Sequence, residues 1–184
     1  MKYLLILSCL LFTSVGWSQD ISMYELIERE GLFYEKFTDV PFTGDVVGAR
    51  QGKIVEGKKE GEWLWYRDNF QLFQKENYKD GKLDGEWLEY HENGQLSQKY
   101  NFKDGKWEGE FWDYFENGQL RNKGNYIDDK EEGEWFHYLE NGQLWNKSNY
   151  KDGKKDGEQL YYDKNGKLQY KGKEEEKEGE FLEY

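Results

Sequence analysis

A Gly-Glu pair returns along this chain at a fixed stride. Gly61, Gly85, Gly109, Gly133 and Gly157 are each followed by glutamate and stand 24 residues apart, and Gly179 follows 22 residues later. A period of that size marks a repeat architecture, in which one supersecondary unit stacks on copies of itself. Each copy touches only its neighbours, so the surface is a lattice of recurring side chains rather than one deep cavity.

One unit, residues 85–108, shows how the repeat is built. Glu86, Trp87, Leu88, Glu89 and Tyr90 form an aromatic-rich stretch that reads as a strand. Asn93 and Gly94 tolerate positive φ and mark a turn. A second strand follows from Leu96 to Phe102, and Asp104 and Gly105 mark the turn into the next unit. Turn signals every ~12 residues leave no room for the usual helix of about 10–14 residues. The prediction is an all-β chain, an elongated antiparallel array of hairpins forming a solenoid or a twisted meander sheet. Roughly 13 strands at ~4.8 Å would make a sheet about 60 Å long. Two turns depart from the pattern: Phe70 stands where a glycine is expected, and Asp129 replaces the glycine after Asp128. Aspartate tolerates the left-handed region, whereas phenylalanine predicts a different geometry for the first of these turns.

Side-chain parity predicts the core. Leu64, Leu88, Trp112, Phe136, Leu160 and Leu182 share a face with Tyr66, Tyr90, Tyr114, Tyr138, Tyr162 and Tyr184. In the second strands, Leu72, Leu96, Leu120, Leu144 and Leu168 begin a face that Tyr78, Phe102, Tyr126 and Tyr150 complete. A three-residue turn with a glycine bulge sets Tyr90 opposite Leu96 and unites these columns; a two-residue turn sets Trp87 opposite Tyr100. The bulged turn gathers more apolar residues on one side. The opposite parity then carries Trp63, Trp87, Phe111, Trp135, Gln159 and Phe181 beside Lys75, Lys99, Lys123, Lys147 and Lys171. This second column is either half-buried under lysine stems or an exposed platform.

The ends of the chain read differently. Lys2, then a mostly apolar run to Val15, then Gly16, Trp17 and Ser18, form the pattern of a signal peptide over 1–18, with cleavage after Ser18 or one residue later. The run is too short for a transmembrane helix of about 20 residues. Cys9, the sole cysteine, lies inside it, so the mature chain has no disulfide and no cysteine metal site. Residues 19–40 lack the repeat and form a cap segment, with 25–29 as a short helix or strand and 31–34 as a strand. The repeat domain spans 41–184. The net charge of −12, one unit more negative without Lys2, disfavours nucleic acid and anionic membrane as partners. Charged residues make up 35%, which alone suggests disorder, but aromatics make up 18% and supply a core.

The arrangement Gly-Glu-Trp-x-x-Tyr, Asn-Gly-x-Leu and Tyr-x-Asp-Gly-Lys-x-x-Gly-Glu resembles the MORN repeat, and is most similar to its bacterial antitoxin-type variant. Val40, Pro41, Phe42, Thr43 and Gly44 resemble the opening of such arrays. The resemblance covers about residues 42–184. It implies a hairpin solenoid or elongated sheet, with scaffolding, protein binding or lipid association as the family's roles.

Catalytic chemistry has little to stand on. Glu60, Asp84, Glu108, Glu132, Asp156 and Glu178 recur in every unit, whereas a catalytic carboxylate pair is singular and held in a cleft. They read as a solvated ladder facing Lys82, Lys106 and Lys154. His91 and His137 occupy different repeat positions and read as surface residues, too few for a zinc site. No cofactor or metal is expected. Trp63, Trp87, Phe111 and Trp135 are the candidate ligand-binding aromatics, able to stack on sugars or cations. The expected function is that of an exported, non-enzymatic repeat protein binding a protein or envelope component along its sheet. A carbohydrate- or cell-wall-binding module and an antitoxin-like binding protein are the alternatives. The oligomeric state and the partner's identity are not encoded in these patterns.

Overall fold

The computed structural model describes residues 20–173 and 180–181. The segment 1–18, expected as a signal peptide, and Glu178, Leu182 and Tyr184 of the expected columns lie outside them. The described chain is β throughout except for one 3-10 turn at Met23–Glu25. An 18-stranded sheet carries the repeats, and a two-stranded sheet of Leu26–Arg29 and Leu32–Glu35 packs against it.

Each unit is one hairpin. Gly85–Tyr90 pairs antiparallel with Leu96–Lys103, and Gly109–Tyr114 with Leu120–Ile127. Gly133–Tyr138 with Leu144–Lys151, and Glu158–Tyr162 with Leu168–Lys173, repeat the arrangement. Consecutive units also pair directly, through Gln98 with Asp113 and Lys99 with Trp112, for example. The sheet is therefore a meander whose strands follow sequence order. Among the described residues its one parallel pairing is Ile21–Ser22 against Gly44–Val47, where the cap segment joins.

The hairpin loops are the three-residue kind with a glycine bulge. His91 N–H donates to the Gln95 carbonyl and Gly94 N–H to the His91 carbonyl, and Gly94 takes φ 83°. Contrary to the expectation from its side chain, Phe70 follows the same scheme. Its N–H donates to Arg67, Arg67 N–H donates to Gln71, and its φ is 63°. The Asn69 side chain accepts from Gln71 N–H, and the Phe70 ring is 89% exposed, so nothing obstructs the left-handed backbone. Asp129 likewise substitutes for glycine, at φ 67°.

The register holds both pairings that the sequence set against each other. Tyr90 faces Leu96 and Trp87 faces Tyr100, because a second irregularity at Ser97 lets one strand gain a residue between them. An added residue turns every later side chain to the other face. The expected core is corrected accordingly. Leu64, Leu88, Trp112, Phe136 and Leu160 lie opposite Lys75, Lys99, Lys123, Lys147 and Lys171 on one outer face, and the Tyr–Leu pairs share it. Tyr78, Phe102, Tyr126 and Tyr150 turn to the inner face with Trp63, Trp87, Phe111 and Trp135. The lysines expected beside the tryptophans are on the far side of the sheet.

At the amino-terminal end the inner face is closed by the cap segment. Ile21, Leu26, Phe42, Val46 and Ile54 cluster on Trp63, which is fully buried. Within the expected segments 25–29 and 31–34 the strands are Leu26–Arg29 and Leu32–Glu35, with Glu25 in the 3-10 turn and Gly31 in the hairpin turn, and the loop before Gly44–Val47 is tied down by Gly57 N–H donating to the Phe42 carbonyl.

Candidate functional site

The four candidate aromatics all belong to the inner face. Trp63, Phe111 and Trp135 are buried and Trp87 is half-buried. Phe111 packs 5.5 Å from Trp135, Trp135 meets Tyr126 edge-on at 5.1 Å, and Trp87 meets Tyr100 edge-on at 5.0 Å. Trp107, which no parity argument singled out, stacks on Tyr100 at 5.2 Å and meets Tyr126 at 4.7 Å. These rings face one another, so Trp63, Phe111 and Trp135 form a core rather than an open platform.

Beside the rings runs a polar row in which successive units differ. In the first hairpin, buried Glu76 accepts from Trp65 Nε1 at 2.9 Å and from Gln74 Nε2 at 2.6 Å. Lys59 Nζ lies 3.9 Å from the same carboxylate, and burial lowers the ammonium's pKa. Two units on, Asp113 is 2% exposed. Arg121 grips it with two N–H groups at 2.7 and 2.8 Å, and Asn122 Nδ2 donates at 2.5 Å. The Asn122 oxygen in turn meets His137 Nδ1 at 2.5 Å. Because that oxygen can only accept, Nδ1 carries the proton. His137 is therefore half-buried rather than a surface residue, and burial lowers its pKa. Trp145 stands edge-on to both His137 and Tyr161. His91 differs: its Nε2 lies 3.0 Å from the Tyr114 carbonyl and ties one unit to the next.

The repeated carboxylates serve the turns. Glu60, Asp84, Glu108 and Glu132 accept the backbone N–H of Asp80, Asp104, Asp128 and Asp152. Lys106 and Lys130 pair along the same edge with Asp128 and Asp152. Among the described residues, no cluster of three or more histidines, cysteines or acids could hold a metal ion.

The outer face stays accessible. Tyr66 with Leu72, Tyr90 with Leu96, Tyr114 with Leu120, Tyr138 with Leu144 and Tyr162 with Leu168 form five half-buried cross-strand pairs. Beside them Lys75 pairs with Glu62, Lys99 with Glu86, Lys147 with Glu134 and Lys171 with Glu158. An open cleft of about 240 Å³ lies on this face, lined by Glu110, Trp112, Lys123, Asn125, Glu134 and Phe136, and one of about 300 Å³ occupies the equivalent place one unit on, lined by Lys147, Asn149, Glu158 and Leu160.

Four segments, 83–104, 107–128, 131–152 and 155–173, match the model of the MORN repeat variant. The chain is a MORN-repeat protein. Each matched segment spans one hairpin, from the residues before the glycine through the second strand. The hairpin of Lys58–Tyr66 and Leu72–Lys79 lies before the matched segments yet keeps the same register, Trp63 opposite Glu76 and Tyr66 opposite Leu72. No curated protein matches the chain.

Proposed function

We propose that this MORN array is an exported, non-enzymatic binding protein that holds a protein or another envelope component along its outer sheet face. The observation that carries the reading is the line of five Tyr–Leu pairs, half-exposed and set at one-unit intervals on a single face. Contiguous apolar surface rimmed by charge is the composition of an interaction site. Repetition multiplies modest contacts, so a long partner gains affinity from each unit it crosses. The residues described hold their buried acids in structural pairs, Glu76 with Trp65 and Asp113 with Arg121, which supports binding over catalysis.

The test is cross-linking of the full chain to an envelope extract, read by mass spectrometry, beside a variant with Tyr90→Ser, Tyr114→Ser and Tyr138→Ser. Loss of a specific cross-linked partner, with the circular dichroism spectrum unchanged, is expected. Equal recovery of that partner by the variant would remove the outer face from consideration. Export is checked separately by sequencing the native amino terminus, expected to begin at residue 19 or 20.

A further inference from the structure

One stretch of the outer face departs from the repeat in two ways at once. The position held by Leu64, Leu88 and Leu160 in other units is Trp112 in one and Phe136 in the next. Lys123 lies between them, 5.7 Å from the Trp112 ring and 4.8 Å from the Phe136 ring. The equivalent Lys75, Lys99, Lys147 and Lys171 each pair with a glutamate, whereas among the described residues Lys123 pairs with no carboxylate and Glu110 with no cation. Among the described residues the Asn125 side chain makes one long bond, 3.4 Å from Nδ2 to the Tyr126 carbonyl. Two rings, an ammonium, a carboxylate and an amide thus border one cleft of about 240 Å³ with their hydrogen-bonding capacity largely unspent.

We propose that the cleft between Trp112 and Phe136 binds one ring of a saccharide. The sugar's C–H face would lie on the Trp112 ring, from which the Lys123 ammonium, 5.7 Å from its centre, would swing to bond a hydroxyl, with further hydroxyls bonded to Glu110 and Asn125. Charge discriminates between ligand classes here. A basic side chain would meet the Lys123 ammonium already above both rings, and an anion would meet Glu110 and Glu134. A hydroxyl both donates and accepts, so a neutral polyol satisfies the free carboxylate and the free ammonium together. The volume falls below the roughly 300–1,000 Å³ of pockets that enclose a drug-sized ligand, which suits one ring with the remainder of the glycan running across the face. This site lies on the face opposite Trp63, Trp87, Phe111 and Trp135, and it does not depend on the protein-binding reading.

The full chain, labelled with ¹⁵N, is titrated with cellobiose and with di-N-acetylchitobiose, and in separate arms with hexalysine and with inorganic phosphate. A saccharide is expected to move the Trp112 indole N–H and Asn125 side-chain amide signals. The double variant Trp112→Leu with Phe136→Leu restores the leucine of the other units and so keeps the fold. Its affinity for the saccharide should fall at least about tenfold. The proposal is overturned if neither sugar moves those signals at about 50 mM, a level that would detect even millimolar binding. It is equally overturned if the double variant binds as well as the parent, or if only hexalysine or phosphate produces the shifts.

Discussion

Trp63 and Trp135 occupy the same repeat position three units apart, both are buried, and they reach that state by different routes. Trp63 is covered by residues foreign to the repeat, Ile21, Phe42, Val46 and Ile54 from the cap and first strands. Trp135 is covered only by the array itself, by Phe111, Tyr126 and Tyr150. They share one device. Each indole lies across a glycine of the preceding strand, Gly52 beneath Trp63 and Gly124 beneath Trp135, and a Cβ on either glycine would overlap the ring. Trp87 has Glu76 on the preceding strand, at the place Gly124 occupies beside Trp135, and Trp87 stays half-buried. A single-layer sheet thus buries its largest side chains either by importing a cover or by deleting the neighbour.

Substitutions can break this comparison. Trp63→Ala should be the costliest, at about 3–5 kcal/mol, because the whole cap cluster loses its floor; Trp87→Ala should cost less than half as much, both read from urea unfolding. If the two cost the same, the distinction between capped and uncapped units is wrong. Gly124→Ala should follow, at about 1–3 kcal/mol from overpacking against Trp135, with a shift of the Trp135 indole signal. Asp113→Asn should cost about 1–3 kcal/mol, since Arg121 and Asn122 lose a charged acceptor, and thermal unfolding reads it.

The polar rows sharpen the contrast through pH. Burial holds the folded pKa of His137 below its value in the unfolded chain. Between those two values the unfolded state binds more protons, so stability is full above the unfolded pKa of about 6.5 and falls as the solution is acidified through the folded value. Melting temperatures across that window should fall for the parent and flatten for His137→Gln. The smallest effect should come from the outer face: Glu86→Gln breaks an exposed pair with Lys99 and should change stability by less than about 1 kcal/mol.

The hairpins, their stride and the bulged loop were legible because glycine and asparagine recur where positive φ is required, as at Asn93 and Gly94. The division of residues between faces was half legible. First-strand parity correctly separated Trp87 from Leu88, but the extra residue at Ser97 carries no signature of its own, so Tyr78 and Phe102 were assigned to the wrong side. The Trp112 and Phe136 cleft was hidden by the same error, since both residues were counted as core. A different signal was available for it: the two units that depart from leucine in that column. Asp113 and Trp145 also differ from their counterparts, Glu89 and Arg121, one unit earlier. In a repetitive chain, the exception within a column is more informative about a site than the column is.

The carboxylate brackets along the Asp-Gly edge give the array a direction. Asp84 closes the turn at Asp104, Glu108 the turn at Asp128, and Glu132 the turn at Asp152. Among the described residues each interior hairpin therefore supplies an acceptor forward and receives one from behind. A duplicated copy spliced into the interior would find both halves of its bracket waiting, which makes such a chain able to lengthen by whole units while its two ends stay as they are.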